Sequence, residues 1–232
     1  MFHQKGFKTA QLQFQRVKDA FAKFEASNNA VLKKHEISPS RLDICIRVFK
    51  HEKMLELWAK NREDASYEKI REFPVSTISG TLGPKRKEGD KQTPEGFYYI
   101  NMFNPNSRYH LSVGINYPNK SDRIMADKNT PGSDICIHGN TVTVGCIPIT
   151  DTGIEELYAF CVEAKNNGWM IPASFFPFRM TDENITSFKS QHAYHPDCIN
   201  LWEDLKTAFD YFEKHHVNPG IVFLNNGRHK IS

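Results

Sequence analysis

Two residues of this chain, His138 and Cys146, are of the types and at a spacing that could do nucleophilic chemistry. A Gly139-Asn140-Thr141 turn lies between them, so two adjacent antiparallel strands are expected to bring the imidazole against the thiol. An imidazole that takes the thiol proton turns a cysteine into a working nucleophile. Gly145, just before it, lets the backbone approach a substrate closely, and amides beside the nucleophile can point at a developing oxyanion. The pair is sufficient for acyl transfer. Two plainer readings fit the same residues: an inert thiol packed among Val and Ile, or a zinc site using Cys136, His138 and Cys146, for which no fourth ligand falls at a helpful spacing.

The elements that must position these residues are read from periodicity. Phe14, Val17, Phe21 and Phe24, spaced by three and four, predict one amphipathic helix over Thr9 to His35. Ser38-Pro39-Ser40 ends it, and Leu42, Ile44, Ile46 and Val48 then alternate with Asp43, Cys45, Arg47 and Phe49, which is a strand. Apolar stretches at Met54–Ala59 and Ile70–Ser79 continue as a β-meander. The Gly-, Pro- and charge-rich run from Gly83 to Gly96 reads as a surface loop, with Lys85-Arg86-Lys87 a solvated charge run. Strands are expected at Phe97–Met102, Tyr109–Tyr117 and Ser133–His138. Thr152 with Glu155 forms a capping-box signature for a helix that Gly168 stops, and Ile199–His215 is a second late helix. A strand at Ile221–Leu224 ends on the hairpin signal Asn225-Asn226-Gly227.

Composition narrows the classes. The 232 residues, 39% apolar and 25% charged, suffice for one generous domain or a domain with a small appendage, and exclude disordered, collagen and coiled-coil chains. Thirty basic against 27 acidic residues give a formal charge of only +3, without basic blocks or aromatic-basic interleaving, so nucleic acid is not the expected partner. No apolar run nears the roughly 18 residues of a spanning helix, so no transmembrane segment is expected. Met1-Phe2-His3-Gln4-Lys5-Gly6 shows no export signal. Five cysteines (Cys45, Cys136, Cys146, Cys161, Cys198) without a Cys-x-x-Cys pair make no redox or zinc-ribbon framework.

Several separated motifs resemble the YkuD-type L,D-transpeptidase catalytic domain, and its YafK-like branch in particular. They are Gly83-Pro84-Lys85, Glu88-Gly89-Asp90, Gln92-Thr93-Pro94-Glu95-Gly96-Phe97-Tyr98, Asn104-Pro105-Asn106-Ser107 with Tyr109-His110-Leu111, Ile115-Asn116-Tyr117-Pro118-Asn119, Ile137-His138-Gly139, Thr143-Val144-Gly145-Cys146 and Phe176-Pro177-Phe178-Arg179-Met180. The resemblance runs from about Leu42 to the C-terminus. It implies a mostly β (α+β) fold with a β-sandwich or meander core, an N-terminal helix and two late helices: a helical extension over 1–38 and a catalytic domain over 39–232. It also implies Cys146 as nucleophile, His138 as base and the Gly145 and Cys146 amides as oxyanion donors. The implied substrate is a peptidoglycan stem peptide, attacked at the L-centre of its third-position diamino acid, diaminopimelate, to leave a thioester that an amine or water resolves. No metal or organic cofactor is implied, and the periplasm or cell envelope is the expected location.

Three departures from the common family pattern stand out. The His-to-Cys insert is short, Val144 stands where a second His is usual, and Pro148 occupies a position where Arg or Asn is usual. The YafK-like branch shares the compressed spacing and is associated with hydrolysing links between envelope protein and peptidoglycan, which brings in a wall-linked protein as partner. Thr143, Gly139, Arg179, Tyr109 and His110 are the expected substrate-binding residues, Arg179 as a clamp for a stem-peptide carboxylate. Cys136 should line the same pocket as His138. Two other functions fit the residues: a general cysteine amidase or peptidase on another peptide, and a non-catalytic peptidoglycan-binding module.

Overall fold

The alternation of residues 42–49 becomes strand β1 (Leu42–Phe49) of the computed structural model, which describes residues 6–191 and 196–232. The Met1–Lys5 stretch read for an export signal therefore lies outside the described residues. All of β1 is buried because both its faces are covered. Leu42, Ile44, Ile46 and Val48 join one core, whereas Cys45 and Phe49, on the opposite face, join two others. β2 (Met54–Asn61) and β3 (Glu68–Pro74) extend β1 as the expected antiparallel meander.

β4 (Gly96–Asn104), β5 (Ser112–Ile115), β6 (Cys136–His138), β7 (Ile147–Pro148) and β8 (Pro172–Phe176) complete an eight-stranded sheet in the order β3-β2-β1-β8-β4-β5-β6-β7. Late in sequence, β8 pairs in parallel with β1 and antiparallel with β4, and so joins the two halves. The sheet curls, since the Ser76 N–H donates to the Pro148 carbonyl at 2.9 Å and brings the segment after β3 against β7.

The fold is mixed α+β. The expected N-terminal helix is two, α1 (Phe7–Gln11) and α2 (Gln15–Lys34), broken where Phe14 turns extended and exposed. The break lets Gln11 accept the buried Tyr158 hydroxyl at 2.6 Å. α3 (Lys120–Met125), capped by Asn119, was not foreseen, nor was α5 (Asp182–Gln191). α4 (Thr150–Asn166) and α6 (Pro196–His215) are the two late helices, and β9 (Ile221–Phe223) and β10 (His229–Ile231) form the closing hairpin. Val17, Phe21 and Leu32 of α2 share one core with Ile154, Leu157 and Tyr158 of α4 and the first face of β1. Burial of such side chains stabilises by about 1.5–3 kcal/mol each, enough to dock α2. Trp202, Leu205 and Phe209 of α6 cover the other face.

On that second face Arg47 sits among five aromatic rings, nearest Phe212 at 4.3 Å, and pairs with Glu213 at 2.8 Å. The run from Gly83 to Gly96, part of the loop of residues 75–95, is only in part the solvated segment its composition predicts, with Lys87, Glu88 and Lys91 exposed but others buried. Glu95 and Lys50 form an ion pair at 2.7 Å with both side chains fully buried. Lys50 Nζ also donates to the carbonyls of Thr81, Gly83 and Thr93, and Glu95 accepts from the Gly83 N–H and from Trp202 Nε1. Lys85 is buried too, its Nζ on Asp90 at 2.7 Å, whereas Lys87 alone of the Lys85-Arg86-Lys87 run is exposed. Burial works to raise the Asp90 carboxyl, but Lys85 and the backbone N–H groups of Gln92, Lys87 and Arg86 outweigh it and hold it below its usual range. The loop's charges thus fold it onto itself.

Candidate active site

The expected hairpin between His138 and Cys146 does not form. β6 and β7 run parallel, Ile137 beside Ile147 and His138 beside Pro148. A parallel pair needs a crossover, and the loop of residues 139–146 is long enough because β6 has only three residues to climb back past. The turn residues do not close a tight hairpin: the Asn140 N–H is instead drawn to the Asp151 carboxylate of α4 at 2.7 Å. This register has a chemical consequence. It sets Cys136 next to Cys146, with the Cys136 N–H 3.4 Å from the Cys146 Sγ, and His138 two residues on along the same face.

Cys146 is consequently an activated thiol. The Cys136 thiol beside it, the His138 ring and the Cys136 N–H favour the thiolate and outweigh burial, so its pKa lies well below that of a free cysteine. Cys136 goes the other way, raised by its hydrogen bond to Cys146, by burial and by the charge of Asp134. The Cys136 N–H aimed at the Cys146 Sγ favours the same order, with Cys146 the more acidic of the two thiols. Both are free thiols. Nδ1 of His138 lies 2.5 Å from the Gly139 carbonyl oxygen, which can only accept, so Nδ1 carries the hydrogen and Nε2 is left to exchange protons. Nε2 is buried and makes no hydrogen bond among the described residues.

The expected substrate contacts are placed as follows. The Thr143 hydroxyl donates to the Cys146 carbonyl at 2.9 Å and closes the turn that presents Cys146, so it serves the backbone. Gly145 has φ +101°, and a Cβ there would lie 3.1 Å from the Gln92 carbonyl oxygen. Its N–H, expected to face an oxyanion, donates to Ser79 Oγ at 2.6 Å. Ser79 and Gln92 both lie in the 75–95 loop: Ser79 carries no sequence signal of this role, and Gln92 is marked only as the first residue of the Gln92-to-Tyr98 motif. Gly139 is buried rather than open to a substrate: a Cβ would meet the Tyr109 carbonyl oxygen at 2.7 Å and Asp151 Oδ1 at 2.5 Å.

Tyr109 stacks on the His138 ring, centroids 4.6 Å apart and planes at 25°. His110 is turned away to Glu155 of α4, Nε2 to Oε1 at 2.8 Å. Arg179 is not brought to this group. Its guanidinium pairs with buried Glu56 of β2 at 2.6 Å and lies over Phe49, because an unpaired Glu56 in that interior would be costly. Val142 and Val144, close to Cys146 in the chain, are exposed. Among the described residues, no group of three or more His, Cys, Asp or Glu converges as a metal site would, and no helix is long and apolar enough to cross a membrane.

The model of the YkuD L,D-transpeptidase catalytic domain matches residues 43–172, which include both His138 and Cys146. Over 210 residues the chain is 35% identical to YafK of Escherichia coli K12, provisionally named an L,D-transpeptidase, covering 89% of this chain and 81% of YafK. The chain belongs to the YkuD L,D-transpeptidase family. Membership in the L,D-transpeptidase family implies chemistry on peptidoglycan. Among solved structures, the helical cell shape determining protein Pgp2 of Campylobacter jejuni superposes with a TM-score of 0.48 at 19% identity, over 79% of this chain and 73% of that one. Bd1075 of Bdellovibrio bacteriovorus gives 0.42 at 18%, over 78% and 77%.

Proposed function

We propose that this chain is a cysteine acyl-transfer enzyme of the cell envelope that acts on peptidoglycan stem peptides at the L-centre of diaminopimelate. The observation that supports it best is the lowered Cys146 thiol beside an imidazole whose Nδ1 is fixed and whose Nε2 is uncommitted.

The Cys146 thiol passes its proton to His138 Nε2 and the resulting thiolate adds to the carbonyl carbon, the developing negative charge moving to the carbonyl oxygen. The Gly145 N–H can receive that oxygen once the Ser79 hydroxyl turns away. Collapse of the adduct breaks the amide bond, and the leaving amine takes a proton from His138 Nε2. A thioester remains on Cys146. Water, or an amine from a second stem, then gives its proton to Nε2 and attacks the thioester, releasing the thiolate. Tyr109, stacked on the ring, and the Nδ1–Gly139 hydrogen bond keep the imidazole in one orientation through both steps.

Incubating the purified protein with diaminopimelate-containing muropeptides, and with protein-linked peptidoglycan, tests the proposal by mass spectrometry of the products. Loss of the fourth stem residue is the carboxypeptidase or transpeptidase outcome, and release of linked protein is the amidase outcome. Either should fall by about 10²–10⁴-fold in His138→Ala, with the pH profile displaced. Absence of every product from the wild-type protein would leave a binding module instead.

A further inference from the structure

The turn that carries Tyr109 has little regular structure of its own. It joins β4 to β5, and His110 within it is held at φ +72°, a left-handed conformation uncommon outside glycine. Within the turn, Ser107 Oγ accepts the Tyr109 N–H at 3.1 Å, and the Tyr109 carbonyl accepts the Gly139 N–H at 3.1 Å. Two further carbonyls, those of Ser107 and His110, converge on one nitrogen outside it, Nη1 of Arg16, at 2.8 and 2.7 Å. Arg16 is in the first turn of α2, well before the span that matches the catalytic family. The same helix grips the turn a second time. Lys23 pairs with Glu155 Oε2 at 2.7 Å, while Glu155 Oε1 holds the His110 ring.

We propose that the N-terminal helix is a working part of the active site: Arg16, through the 107–110 turn and the Tyr109 ring, is a positioning residue for His138. The inference rests on the reading of Cys146 and His138 as a reacting pair. Its physical content is that one guanidinium nitrogen fixes the spacing of two carbonyls. The Tyr109 ring between them and the Gly139 backbone then has one place to lie against the imidazole. Arg16 is exposed, so water can replace it on the carbonyls. Its removal should loosen the turn more than it unfolds the protein.

The test uses the intact chain and needs no peptidoglycan. Cys146 alkylation by iodoacetamide is followed across pH by peptide mass mapping, which separates it from Cys136. His138→Ala should displace the profile to higher pH. Arg16→Ala and Tyr109→Ala should displace it in the same direction, by about one pH unit, or roughly tenfold in rate on the acid side. Tyr109→Phe, which keeps the ring, and Arg16→Lys, which keeps a cationic donor, should restore most of it. In the double variant Arg16→Ala/His138→Ala the Arg16 effect should vanish, since it acts only through the imidazole.

A purely structural Arg16 would change the melting temperature and leave the profile where it is. An unshifted Arg16→Ala profile with a shifted His138→Ala profile overturns this inference and spares the reacting pair. An unshifted His138→Ala profile overturns both.

Discussion

Replacing Cys146 with alanine should remove turnover, by roughly 10⁴-fold or more, while leaving the fold in place. The residue is half-buried in a loop, so the change opens no large cavity, and its neighbours keep partners: Thr143 still reaches the carbonyl of residue 146 and Gly145 still reaches Ser79. Cys146→Ser should fail as well, because a hydroxyl in the same place is far too weak an acid to be ionised by these neighbours. The direction of the pH dependence follows from the lowered thiol. Activity should persist below the normal thiol range and fall on the acid side as pH drops through the depressed Cys146 pKa, where the thiolate is protonated. Kinetics of the wild type from pH 4 to 9, with circular dichroism of both variants, check this. A variant keeping about a tenth of the activity would rule out covalent catalysis at this residue.

The largest expected effect on stability is at Lys50, far from Cys146 in sequence. Lys50→Met removes the cation that sits with Glu95 in a fully buried pair and leaves three carbonyls and a carboxylate without their donor. Breaking one side of such a pair costs about 3–5 kcal/mol, a large share of the roughly 5–15 kcal/mol that holds a domain folded. Glu95 would still hold the Gly83 N–H and Trp202 Nε1 but would be an uncompensated buried charge. The double variant Lys50→Met/Glu95→Gln should therefore be more stable than Lys50→Met alone. The same hub anchors the loop that places Ser79 and Gln92 against Gly145, so the single variant should lose activity before it loses its secondary structure. Urea unfolding followed by tryptophan fluorescence gives the stabilities, and equal midpoints for Lys50→Met and wild type would show the hub to be idle.

Much of this architecture is legible in the sequence where a single physical signal dominates. The period-two pattern at Leu42, Ile44, Ile46 and Val48 marks β1 to the residue, and helical spacing marks α4 and α6. The candidate pair His138 and Cys146 stands out by its types, which leave an inert thiol and a zinc site open, and the resemblance of the surrounding motifs is what favours a reacting pair. What the sequence hides are arrangements decided by distant contacts. The parallel pairing of β6 and β7 goes with an Asn140 N–H held by Asp151 of a later helix, and this pairing sets Cys136 beside Cys146. Lys85 and Lys50 look like surface charges because a sequence does not reveal that Asp90 and Glu95 wait inside to receive them. Arg179 looks like a substrate clamp for the same reason, its partner Glu56 lying on a strand well over a hundred residues earlier. Arg16 reads as one more charge on a helix until its two carbonyl acceptors are seen.

The most direct test of the central claim is a search for the acyl-enzyme. The protein is mixed with a diaminopimelate-containing muropeptide, quenched in acid within one turnover and digested, and the Cys146 peptide is weighed. The account predicts a mass increase equal to the acyl part of the stem peptide, on Cys146 alone, removable by hydroxylamine and absent in Cys146→Ala. Product formed at full rate with Cys146 never modified, or the adduct found on Cys136 instead, would contradict it.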